Sequence, residues 1–115
     1  MKDKQKNKIT LPYLDDLLLY LQSNNYSDKT IYNYERDLVV FENFLNESSV
    51  PFNQINKRII ESYKAYLNSV DRRTPIKIIS SQKLNSYSVN RFLSSLRSYF
   101  RYLIKMDYYS PIPPD

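Results

Sequence analysis

Glycine does not occur once in the 115 residues of this chain. The two-residue hairpin turns that join antiparallel strands need positive φ, which glycine supplies most readily. Glycine-rich phosphate loops are ruled out outright. A chain without glycine therefore favours helices over tightly turned sheets. One short run, Ile76–Ile79, has strand-like composition, but a single strand without a partner is unstable, so it reads as part of a connection. The expectation is an all-α fold: a compact four-helix domain with no significant sheet.

Hydrophobic spacing places the four helices. Thr10 is the expected N-cap of the first, with Pro12 in its first turn, Asp15 and Asp16 near its positive end, and Leu14, Leu17, Leu18 and Leu21 as its apolar stripe. It should stop at Ser23–Asn25, where short polar side chains compete for the backbone. The second starts at Ser27 and runs to about Glu47, carrying Ile31, Tyr34, Leu38, Phe41, Phe44 and Leu45 at helical spacing. A loop around Pro51 follows. Asn56 then caps a third helix to about Val70, with Ile59, Ile60, Tyr63, Tyr66 and Leu67 inward. Asp71–Asn85 is a long connection, and the fourth helix covers Ser88 to about Met106.

The second and fourth helices repeat one pattern. Ser27, Thr30, Ile31 and Tyr34 match Asn85, Ser88, Val89 and Phe92, and the register continues through Leu38 with Leu96, Phe41 with Tyr99, Phe44 with Tyr102 and Leu45 with Leu103. Common helix grammar produces such matches independently. The alternative is a pair of structurally equivalent helices, each following a shorter one, which gives two crossed helical hairpins. The polar, lysine-rich residues 1–9 read as a flexible basic tail, 10–109 as the domain, and the proline-rich 110–115 as a linker.

Cysteine and histidine are both absent. This leaves no disulfide, no Ser-His or Cys-His nucleophile, no expected metal site and no implied cofactor. No apolar run approaches the ~18 residues of a membrane span, so no membrane is expected and the default location is cytoplasmic. Composition of 42% hydrophobic and 25% charged residues is that of a globular chain.

Charge is segregated along the chain. Residues 57–105 hold eleven Lys and Arg against Glu61 and Asp71, whereas residues 9–56 hold Lys29 and Arg36 against seven acids. The fourth helix concentrates the surplus. With Val89, Phe92, Leu93, Leu96, Phe100, Leu103 and Ile104 on its dry side, its wet side carries Asn90, Arg91, Ser94, Arg97, Ser98, Arg101 and Lys105, with no acid. A merely solvated face usually mixes both signs.

The segment from Tyr26 to Leu45 resembles the opening of the core-binding domain of tyrosine recombinases, the phage integrase and Xer-like group. That family reads L-S-x-x-T-I-x-x-Y-x-x-D-L-x-x-F-x-x-F-L there. Ser27, Thr30, Ile31, Tyr34, Asp37, Leu38, Phe41, Phe44 and Leu45 sit at the matching positions. The second family block, S-V-N-R-x-L-S-A-L-R-S-F-F-x-Y-L, is met from Ser88 to Leu103. The resemblance covers about residues 10–115 and implies a SAM-like domain that grips double-stranded DNA. Its second and fourth helices would approach the major groove. It also implies further partners: a catalytic domain of the same parent chain, following Asp115, and other recombinase protomers on the DNA. The chain itself would then be no enzyme, since the catalytic residues would lie in that domain.

On this reading the DNA-binding residues are Lys29, Tyr32, Asn33 and Arg36 of the second helix, and Asn90, Arg91, Ser94, Arg97, Arg101 and Lys105 of the fourth. Asn90, Arg91 and Ser94 are placed for base edges, where Arg reads guanine and Asn reads adenine. Arg97 and Arg101 are placed as phosphate clamps, and Lys105 as peripheral. About five phosphate contacts would give a log–log salt slope near −4.5, from ~0.9 per contact. Each cation also has a plainer reading: Arg91 could pair with a nearby acid, and arginine stems cover apolar surface. The second helix also carries the acids Asp28, Glu35, Asp37, Glu42 and Glu47, which makes the fourth helix the stronger contact. Asp28 suits the helix dipole at a helix start, and Asp37, which matches the family pattern, lies away from Arg36, so its repulsion of phosphate is avoidable. The rival from another class is a protein–protein adaptor whose basic face meets an acidic partner, which the twelve tyrosines would suit. A helix-turn-helix regulator fits poorly, because the helices are too long and the tight turn is weakly signalled.

Overall fold

A computed structural model describes residues 8–69 and 86–113. Four helices appear in order: α1 (Leu14–Ser23), α2 (Asp28–Ser48), α3 (Lys57–Leu67) and α4 (Ser86–Lys105), with a 3₁₀ turn at Phe52–Gln54. There is no strand among the described residues. Residues 1–7 of the expected 1–9 basic tail, the connection through Asn85 and the last two residues lie outside the described residues.

Helices α1 and α2 form one hairpin and α3 and α4 the other, and the two cross chiefly through α2 against α4. The repeat read from the sequence is realised in this crossing. Leu38 and Leu96, Phe41 and Tyr99, Phe44 and Tyr102, and Leu45 and Leu103 are all buried. Asp37 and Ser95, which stand at the same 58-residue offset, meet directly in a hydrogen bond. Around the crossing the core is strongly aromatic. Phe41 meets the Tyr63 ring edge-on at 4.8 Å, and Phe44 lies 5.2 Å from the same ring. Such pairs add about 0.5–1.5 kcal/mol beyond the area they bury.

The caps of α2 and α3 follow the sequence. Ser27 Oγ accepts from Thr30 N–H at 3.1 Å and Asn56 Oδ1 from Ile59 N–H at 3.0 Å. The start of α1 does not. Thr10 is not its N-cap; the helix begins at Leu14, after Tyr13, whose φ is 62° and whose side chain makes no capping bond. The reason lies in tertiary partners for the preceding backbone. Ile9 N–H donates to Asn46 Oδ1 and Ile9 C=O accepts from Asn46 Nδ2, both at 2.8 Å. Leu11 N–H donates to Glu42 Oε2 at 2.8 Å, and Pro12 C=O accepts from the Tyr99 hydroxyl at 2.7 Å. With its polar groups satisfied by α2 and α4, this segment gains nothing from joining the helix. The Tyr13 ring stacks on Tyr108 at 3.7 Å, which helps hold the left-handed backbone.

The third helix ends at Leu67, short of the expected Val70. Asn68 folds its side-chain amide back onto Lys64 C=O at 2.9 Å, and Ser69 N–H turns to Tyr66 C=O.

Lacking glycine, the chain ends three helices with other residues in the left-handed region: Asn25, Ser49 and Asp107. Each end carries the same pair of reversed bonds, as in Val50 N–H to Leu45 C=O with Ser49 N–H to Asn46 C=O, the Schellman arrangement. A side chain with a Cβ strains this conformation by about 1 kcal/mol. Ser49→Gly is therefore expected to raise the melting temperature by ~4 °C. A melting scan showing a drop would contradict this account of the α2 terminus.

Tyr63 is fully buried, and its hydroxyl has no hydrogen-bond partner among the described residues. Burial, and then the nearby Asp37 charge, push its phenol well above the ordinary tyrosine range. Tyr63→Phe keeps the ring and removes the orphan donor. It is expected to stabilise the fold by about 1 kcal/mol, readable as a higher urea midpoint at unchanged slope.

Candidate nucleic-acid interface

No acidic residue lies on α4, and its outward face exposes Asn90, Arg91, Ser94, Arg97, Arg101 and Lys105. Beside it, α2 exposes Lys29, Tyr32 and Arg36, with Asn33 half-buried. The Arg36 guanidinium lies 5.7 Å from the Tyr32 ring, one helical turn away.

The two faces join at Asp37. This carboxylate is only 2% exposed; Oδ1 accepts from Arg91 Nη2 at 2.8 Å and Oδ2 accepts from the Ser95 hydroxyl at 2.7 Å. Burial raises its pKa above the ordinary value, opposed by the Ser95 and Arg91 bonds and by the nearby charges of Arg91 and Arg36. Burying a carboxylate is costly unless it is paired, which explains why both of its oxygens are engaged. Arg91 keeps 43% of its side chain exposed and packs over the Phe92 ring at 5.0 Å. One edge of the guanidinium is tied down and the rest of its five-donor fork is open. Close by, the Tyr34 hydroxyl donates to Ser98 Oγ at 3.4 Å, a second polar link from α2 to α4.

Three of the five acids of α2 have structural work that weakens their opposition to an anionic ligand. Asp37 is neutralised at the seam, and Glu42 holds the Leu11 backbone. Asp28 sits in the first turn of α2, where the helix dipole suits it.

The ten residues singled out from the sequence do not form one cluster. Arg91 stands at the α2–α4 seam on Asp37, with Arg36 near the same carboxylate. Lys29, Tyr32 and Asn33 lie along α2, and Asn90 and Ser94 along the outward face of α4. Arg97 and Arg101 lie on the α3 side of α4, where they rim a groove with Lys57 and Lys64. The floor of this groove is apolar, including Ile60, Leu93, Phe100 and Ile112. Lys105 turns the other way: its Nζ donates to the Tyr20 hydroxyl at 2.6 Å and lies 5.0 Å from that ring. Sequence reasoning missed Lys57 and Lys64 as members of the cationic surface. They were counted in the basic half, but their approach to α4 depends on the hairpin packing. Glu61 pairs with Lys64 at 3.7 Å, both well exposed, so the pair adds little.

Every resolved shift, at Tyr63, Tyr99, Tyr102 and Tyr108, is upward, with burial as the main cause. That is the opposite of what activates a phenolic nucleophile. No helix among the described residues is long and apolar enough to cross a membrane.

Comparison with known proteins now decides the family. Residues 14–106 match the family described as phage integrase, N-terminal SAM-like domain. The chain belongs to this family. Among curated relatives, the tyrosine recombinase XerC of Halalkalibacterium halodurans is 30% identical over 95 residues, covering 81% of this chain and 27% of that protein. The tyrosine recombinase XerC of Lactobacillus delbrueckii subsp. bulgaricus is 31% identical over 94 residues, covering 79% and 28%. That of Staphylococcus aureus is 29% identical over 83 residues, covering 72% and 24%. The chain spans about a quarter of the length of these relatives. No solved structure gives a significant match. In this SAM-like domain, Asp37 and Arg91, one from each of the two sequence blocks that carry the resemblance, are direct partners.

Proposed function

We propose that this SAM-like domain binds double-stranded DNA as the non-catalytic clamp of a tyrosine recombinase. Residues 10–109 form the DNA-gripping unit, with 1–9 as a basic arm and 110–115 leading toward a catalytic domain of the same parent chain. That domain would cleave the strands, and other protomers would join on the assembled site. The observation that carries the reading is the acid-free cationic face of α4, in a domain whose relatives are named tyrosine recombinases.

Chemically, the face suits a polyanion of regular spacing. B-DNA carries one phosphate charge per ~1.7 Å of axis, and each neutralised phosphate releases counterions. Arg97 and Arg101, with Lys57 and Lys64 beside them, serve as phosphate contacts. Fluorescence anisotropy with a labelled mixed-sequence duplex, taken from 50 to 200 mM salt, tests this. About four contacts predict a log–log slope near −3.6, from ~0.9 per contact. Absence of binding at the lowest salt would overturn the proposal.

The groove between α3 and α4 favours one second reading. An apolar floor with a rim of Lys57, Lys64, Arg97 and Arg101 also suits an acidic amphipathic helix. An adaptor would bind such a peptide and ignore duplex DNA at moderate salt.

A further inference from the structure

The cationic surface is chemically uneven, and the unevenness follows the fold. On the α3 side of α4, Arg97 and Arg101 stand with Lys57 and Lys64, facing only Glu61 among the acids lining that groove. At the α2–α4 seam the character changes. Arg36 is aligned with the Tyr32 ring, and Arg36 and Arg91 share the charge of Asp37, whose other oxygen takes the Ser95 hydroxyl. A guanidinium bonded to a carboxylate contributes little to counterion release, because the pair adds little net charge. Its free N–H groups keep their direction, and direction is what reading a base edge requires.

We propose that Asp37 with Ser95 is a positioning pair that orients Arg91 toward a base edge at the α2–α4 seam. This rests on the DNA-binding reading above and adds a division of labour to it. Arg97 and Arg101 supply affinity through charge; Arg91 supplies preference through hydrogen bonds. Two contacts hold Arg91 in place, the Asp37 carboxylate at 2.8 Å and the Phe92 ring beneath it, and Ser95 fixes the second oxygen of that carboxylate at 2.7 Å. The open part of the fork is left for a base edge.

The test starts from duplexes enriched by the wild-type chain from a randomised pool, with binding compared between the enriched and a scrambled duplex at several salt concentrations. Arg91→Lys keeps a cation against Asp37 but cannot offer a planar fork. It is expected to lower the preference roughly tenfold at unchanged salt slope. Arg97→Gln is expected to do the reverse, making the slope shallower by ~0.9 at unchanged preference. Asp37→Asn releases Arg91, so preference should fall while the slope steepens by up to ~0.9, a sign that loss of structure would not produce. A wild-type chain that binds duplexes but enriches no sequence overturns the inference and leaves DNA binding standing. So does an Arg91→Lys variant with full preference, which would make Arg91 a strut alone. A wild-type chain that binds no duplex overturns the functional reading itself.

Discussion

Arg91→Ala is expected to lower the melting temperature by roughly 10 °C at pH 7, and by much less at pH 4. The substitution strands a buried carboxylate. Breaking a fully buried pair costs ~3–5 kcal/mol; here Arg91 is 43% exposed, so water relieves part of the loss and about 2.5 kcal/mol remains. At ~4 °C per kcal/mol for a domain of this size, that gives the stated shift. The pH dependence follows from the sign of the shift. Asp37 titrates above its ordinary 3.8 in the folded chain, so the folded state holds this proton more tightly than the unfolded state. Ionising Asp37 therefore opposes folding, and stability is lost as pH rises through the interval from 3.8 to the folded value. Removing Arg91 takes away one of the groups that keep this interval narrow. The deficit of the variant should grow with pH and vanish in acid. Adding Asp37→Asn, which carries no charge to strand, is expected to recover most of the loss. A loss independent of pH, with no recovery in the double variant, would show that Arg91 does not compensate Asp37.

The second large effect concerns binding. Arg97→Gln with Arg101→Gln keeps most of each aliphatic stem and removes two charges. It is expected to weaken duplex binding ~30-fold at 0.15 M salt and to make the salt slope shallower by ~1.8, from ~0.9 per contact. Both residues are exposed, so stability should move by less than ~0.5 kcal/mol. Equal affinity in the variant and wild type, measured by anisotropy at fixed salt, would remove the α3 side of α4 from the interface.

Much of this architecture was legible in the chain because hydrophobic spacing and caps are local signals. Ser27 and Asn56 cap as their types suggest, and the offset between α2 and α4 placed Phe41 with Tyr99 and Leu45 with Leu103 before either was seen to be buried. Nonlocal partners were not legible. Thr10 had the right type for an N-cap, but Asn46, Glu42 and Tyr99 capture the backbone next to it. Asp37 read as an acid turned away from Arg36, and only the crossing of α2 over α4 shows it inside, between Arg91 and Ser95 and within reach of the Arg36 charge. The same limit applies to the cationic face. Periodicity put Lys105 in line with Arg101, yet Tyr20 draws it toward α1, while Lys57 and Lys64 reach Arg97 only through the packing of α3 on α4.

The central claim, that duplex DNA lies across α2 and α4, is tested most directly by titrating a mixed-sequence duplex into ¹⁵N-labelled protein at two salt concentrations. The account predicts amide shifts concentrated on residues 29–36 and 88–101, extending to Lys57 and Lys64, and weakening steeply as salt rises. Shifts confined to α1, or none at low salt and high concentration, would contradict it.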